Sequence, residues 1–224
     1  MGEGANLVTT DLVFGVVSGV GAGGSKVLQC ARPRRLGSVS TVRAMVASFP
    51  EGRELPQPDG LPGDERKVLV EFLDFYRAVL VRKAEGLTSD QLNRTTSASS
   101  LTLGGLVKHM ALVEDIWFVS RFSGEEMPEP WASAPFDDDP DWELTSAPDD
   151  SPAELLALFD GACARSRAIV DAEDSLERVT LLPADDESRR RNLRWVLVHM
   201  IEEYARHAGH ADFLREEIDG RVGE

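Results

Sequence analysis

The chain is predicted to be an all-α protein, a four-helix bundle with one long crossover. Three observations predict it. Apolar residues recur at helical spacing over four long stretches. Those stretches open on capping residues, and most of them close on glycine. No convincing strand pattern interrupts them, and the one extended candidate, RVTLLP (178–183), is short. Amphipathic helices of this length must bury their apolar faces against one another, and a bundle does so.

The first helix, DERKVLVEFLDFYRAVLVRKAEG, starts at a capping Asp64 and ends at Gly86. Leu69, Phe72, Leu73, Tyr76, Val79 and Leu80 recur along it at helical spacing. Ser89 is placed to cap a short piece, SDQLNR. The second helix is expected from about Thr102 to Phe122, stopping near Gly124. A proline-rich acidic crossover follows, GEEMPEPWASAPFDDDPDWELTSAPDD, where proline rules out a continuous helix. Its Trp131 and Trp142 predict that it packs on the body. SPAE (Ser151–Glu154) combines a capping box with proline at the first helical position. It opens the third helix, which runs to about Val170. The fourth spans roughly Asn192 to Ile218, with Gly220 just beyond.

Residues 1–60 read differently from residues 61–224. The opening is rich in Gly, Ser and Val, as in GVVSGVGAGGS, and Lys26, Arg32, Arg34, Arg35 and Arg43 outnumber Glu3 and Asp11. It is expected to be a disordered N-terminal extension, or upstream sequence translated from an early start, with Met45 as the alternative start. A transit peptide is the other reading of its Arg and Ser content. A secretory signal is disfavoured, because no basic residue precedes LVFGVVSGVGAG.

Composition narrows the function classes. The 224-residue chain carries a net charge of −15, which repels phosphate backbones, so no nucleic-acid partner is expected. Cys30 and Cys163 are its only cysteines, which makes neither a disulfide framework nor a zinc knuckle, and the expected location is the cytoplasm. No apolar run reaches about 18 residues, so no membrane span is expected. The expected partner is a small-molecule substrate, and the expected state a monomer or homodimer.

Three of the chain's four histidines lie in HMIEEYARHAGH (199–210). On a wheel of about 100° per residue, His207 sits mid-stripe among Val196, Met200, Leu214 and Ile218. Glu203 lies about 40° to one side, with His210 and His199 about 60° and 80° away on that same side. Glu202 points elsewhere. The remaining histidine, His109, faces inward on the second helix among Gly105, Leu106, Leu112, Val113 and Ile116. A buried glutamate is costly unless paired or bound to a cation, and Glu and His one turn apart can share a metal ion. The candidate ligands are therefore His109, Glu203 and His207. Other readings are satisfied core histidines, an ion pair of Glu203 with Arg194 or Arg206, or a metal-free polar network. Glu114 and Asp115 lie near the site in sequence, and a solvated face would explain them equally well.

His109 followed eight residues later by Trp117, with His199, Glu203, His207 and Gly209 spaced as H-x-x-x-[H/E]-x-x-x-H-x-G, resembles the DinB-like superfamily. That superfamily includes the thiol-dependent S-transferases and the mycothiol-dependent maleylpyruvate isomerase-like enzymes. The resemblance covers roughly residues 62 to 220. It implies an up-down-down-up bundle with the long crossover between helices two and three. It also implies a divalent ion, zinc first and nickel second, on His109, Glu203 and His207, with His199 supporting from outside the ligand set. Glu203 stands where histidine is more frequent in the family.

The implied activity is transfer of a low-molecular-weight thiol, such as mycothiol or bacillithiol, to an unknown electrophile. Three protein ligands leave open positions, as at catalytic zinc sites. The alternatives are a metal-dependent hydrolase and a non-catalytic, metal-stabilised or ligand-binding bundle.

Overall fold

The computed structural model describes residues 53–59, 64–96, 99–183 and 185–223. The helices are α1 (Glu65–Ala84), α2 (Ser89–Leu92), α3 (Leu103–Glu114), α4 (Trp142–Thr145), α5 (Pro152–Asp171) and α6 (Leu193–Asp219). Helix α3 continues without a break as a π-helix, Asp115–Phe122. The long helices α1, α3, α5 and α6 form the expected four-helix bundle. No strand occurs among the described residues; RVTLLP contributes an isolated bridge between Val179 and Asn192.

Local chemistry sets the ends. Asp64 accepts from the Lys67 N–H to start α1. Ser151 and Glu154 form both halves of the capping box on α5, with Pro152 in the first turn. Asn192 caps α6, and Gly220 closes it at φ 75°, a left-handed conformation that glycine adopts without the Cβ clash. One expectation is corrected: Thr88, not Ser89, caps α2, because Thr88 and Gln91 make a reciprocal capping box.

Contacts between the long helices fix their directions. Arg194 at the start of α6 reaches Glu65 at the start of α1, and Arg215 near the end of α6 reaches the carbonyls of Lys83 and Glu85. These two helices run parallel. Gly104 near the start of α3 lies against Leu155 of α5, and Asp115 beyond its end pairs with Arg165 of α5, so these two also run parallel. Arg77, midway along α1, meets Glu114 at the far end of α3, while Asn93, just after α1, lies beside Gly104. The bundle is thus up-down-down-up. Its core includes Leu80, Leu106, Met110, Phe118, Phe159, Leu193 and Met200, each buried. Truncating such residues to alanine costs about 2–5 kcal/mol.

The crossover packs on the body as its tryptophans predict. Trp131 is buried and its Nε1 donates to Asp115 at 2.8 Å. Trp142 stands edge-on to Trp131 and Phe136. Most of the expected extension, with Met45 and the transit-peptide reading, lies outside the described residues. Within residues 53–59, the Arg53 guanidinium forks onto Asp160 at 2.8 and 2.9 Å, and Leu55 packs against Phe75, Val79 and Ala208. No described helix is long and apolar enough to cross a membrane.

Candidate metal centre

Helix α6 presents His199, Glu203 and His207 on successive turns of one face, because residues four apart stack along a helix. Helix α3 brings His109 to the same place: the His109 and His207 rings meet edge-to-face at 5.2 Å between centres. Glu203 divides its two oxygens. Oε2 lies 3.5 Å from His207 Nε2, and Oε1 lies 3.8 Å from His199 Nε2. His207 beside it, aided by the nearby His199 and Arg206, holds the Glu203 carboxyl below its ordinary range against the effect of partial burial. This keeps it an anion near neutral pH.

The two halves of the sequence motif touch. Trp117 of α3 meets the His199 ring at 4.7 Å, Trp195 stacks on that ring at 4.9 Å, tilted by 17°, and the two indoles themselves meet at 5.2 Å. His199 is thereby one corner of a three-ring cluster, with its Nε2 towards Glu203. The ion-pair alternative for Glu203 is not what the structure contains. Arg194 is taken by Glu65 and Glu177, and Arg206 by Glu202.

Sequence reasoning missed one supporting residue and gave a second no role. Glu143, from α4 in the crossover, approaches His109 Nδ1 with Oε1 at 2.9 Å. Its Oε2 is buried without a protein partner. His210 faces His207 Nδ1 with its own Nδ1 at 3.4 Å. Burial, then the neighbouring His207 and Arg206, lower the His210 pKa, favouring a neutral ring that can accept a hydrogen. His210 was legible as a residue on the edge of the stripe. Glu143 was not, because the crossover has no periodicity from which to read a facing direction.

Glu114 and Asp115 are corrected: neither lies on a solvated face. Both are fully buried. Glu114 takes two bonds from the Arg77 guanidinium at 2.8 and 2.7 Å and one from the Tyr204 hydroxyl at 2.6 Å. Asp115 is gripped by Arg165 and Trp131.

Two spacings within the candidate set suit a divalent ion. A tetrahedral ion about 2.1 Å from its ligands holds two donor atoms about 3.4 Å apart and two imidazole centres about 5 Å apart. The His207–Glu203 and His109–His207 spacings match those values. A second grouping shares Glu203: donor atoms of His199, Glu202 and Glu203 lie within 4.8 Å of one another, tighter than the full set of His109, Glu203 and His207. Its Glu202 side chain, however, is 56% exposed and already bonded to Arg206, whereas His207 is 14% exposed.

An up-down-down-up bundle with this His/Glu/His face on its second and fourth long helices is a DinB-like protein. The chain belongs to the mycothiol S-transferase family, whose model it matches over residues 68–220. That family places it among mycothiol-related, S-transferase-like proteins. No curated protein matches the chain.

Proposed function

We propose that this protein transfers a low-molecular-weight thiol, mycothiol first, to a small-molecule electrophile, using a divalent ion held by His109, Glu203 and His207. The observation that carries the reading is the convergence of His109 and His207 from two helices beside the Glu203 carboxylate, in a chain of this family. Zinc is the first candidate and nickel the second, because imidazole and carboxylate donors suit both. A bound divalent ion would supply the field that keeps a thiol deprotonated, and hence nucleophilic, at neutral pH.

The chain's own residues do the rest. Glu203 contributes one negative charge, so the site retains net positive charge to favour an entering thiolate. Glu143 and His210 take the hydrogens on Nδ1 of His109 and His207, leaving each Nε2 lone pair as the donor. His199, packed against Trp117 and Trp195, steadies the second oxygen of Glu203.

The test is a cobalt-substituted, untagged protein titrated with mycothiol, bacillithiol, glutathione and cysteine. Expected are about one ion per chain, sulfur-to-metal charge-transfer absorption with mycothiol, and proton release as the thiol enters. His207→Ala should abolish all three. Metal bound at full stoichiometry with no thiol entering would replace thiol transfer with hydrolysis or a metal-stabilised, non-catalytic bundle. Failure to bind any divalent ion would overturn the metal reading itself.

A further inference from the structure

Helix α4 is one turn long and lies directly on α3: a Cβ at Gly105 would sit 3.4 Å from the Leu144 side chain. Consecutive α3 residues hold it there. Lys108 Nζ donates to Ser146 Oγ at 2.9 Å, pairs with Asp150 at 2.6 Å and lies 4.5 Å from the centre of the Trp142 ring. His109 faces Glu143. The Glu143 side chain is only 7% exposed, and one of its oxygens has no protein partner. A buried, half-paired carboxylate is an expensive way to secure a loop, and Lys108 with the two tryptophans already secures this one. Its position asks for a role beyond docking.

We infer that Glu143 is a positioning residue that sets the tautomer of His109 and so primes its Nε2 as a metal donor. The inference rests on the metal reading above. A carboxylate has only acceptors, so in the 2.9 Å contact the hydrogen belongs to Nδ1. A neutral imidazole carries one ring hydrogen, and fixing it on Nδ1 frees the lone pair on Nε2. The ring plane is fixed by the same bond, which matters because His109 comes from a different helix than the other donors. Glu143 also makes the crossover part of the site: undocking the crossover would release His109, and a ligand on His109 would favour the docked crossover.

Two readouts separate this inference from the metal reading. The first uses metal-free protein and the nitrogen-15 shifts of the His109 ring. Wild type should carry its hydrogen on Nδ1. Glu143→Ala should lose that preference. Glu143→Gln, whose amide oxygen still accepts, should keep it. The second is zinc affinity by competition with a chromophoric chelator. Glu143→Ala should bind about 10–100-fold more weakly, and Glu143→Gln should recover most of the loss. A residue that merely packs the crossover would leave the His109 tautomer unchanged in Glu143→Ala. That result, or an alanine variant binding zinc as tightly as wild type, overturns the inference. Wild type that binds no zinc, while its tautomer follows Glu143 as expected, instead overturns the metal reading and reduces Glu143 to orienting a metal-free histidine.

Discussion

The Arg77–Glu114–Tyr204 cluster and the His109–Glu203–His207 cluster share helices α3 and α6, and Tyr204 directly follows Glu203. Their construction differs. In the first, a buried carboxylate is closed on both oxygens by contacts of 2.6–2.8 Å, and Arg77 and Tyr204 are themselves buried. In the second, the Glu203 oxygens stand 3.5 and 3.8 Å from the nearest ring nitrogens, and the side chains keep some exposure. The first is finished by the protein alone, so it carries structure. The second spaces its donors too far apart for good hydrogen bonds, which leaves them available for the shared cation proposed above. Type of residue does not separate the two clusters; the completeness of pairing does.

The largest expected effect breaks the finished cluster. Arg77→Ala leaves Glu114 without its counter-charge in the core, and removing one member of a buried pair costs about 3–5 kcal/mol. Urea melts should show that loss. A loss below about 1 kcal/mol would mean that solvent reaches Glu114 and that the cluster is not closed. His207→Ala sharpens the contrast from the other side. In metal-free protein it should cost under about 1 kcal/mol, the range for changes that break no buried pair. With zinc at a hundredfold excess over Kd, wild type should gain about 2.7 kcal/mol, and the variant should gain none. A large loss in the metal-free variant would show that the open cluster is structural too.

The four long helices were legible because caps and apolar spacing are local properties. Ser151–Glu154 and Asn192 announce their helices whatever packs around them. The inward direction of His109 and His207 followed from the same periodicity. The fate of Glu114 and Asp115 did not. A wheel at 100° per residue points neighbours apart, yet these two are both buried where α3 widens into a π-helix, each meeting a different arginine. Such a change of winding depends on the partners that surround it, Arg77 and Arg165, which lie far away in sequence. Glu143 was hidden for a related reason: a one-turn helix in a proline-rich crossover has no face to read. The candidate ligands, with His199 and His210 beside them, were thus visible from the sequence, and Glu143 was not.

The smallest expected effect tests whether the finished cluster works through charge. Tyr204→Phe removes one hydroxyl donor from Glu114 and little volume. Hydrogen bonds to charged groups contribute about 1.5–3 kcal/mol, so a loss near the lower end is expected at neutral pH, with Arg77 still in place. The pH dependence identifies its origin. Burial alone would raise the Glu114 carboxyl, but the charge and hydrogen bonds of Arg77, with Ser166 and Tyr204, bring it below its ordinary range. A group depressed in the folded state adds stability above its unfolded pKa, about 4.3 for glutamate. That stability is lost as pH falls towards the folded value. Without the Tyr204 hydroxyl the folded value rises towards the unfolded one, so the variant has less to lose on acidification. The gap between wild type and Tyr204→Phe should therefore be widest near neutral pH and narrow steadily below about pH 4. Urea melts between pH 7 and pH 3 measure it directly. A gap that stays constant across that range would assign the tyrosine to packing against Phe159, its edge-to-face neighbour at 6.2 Å, and not to the charge on Glu114.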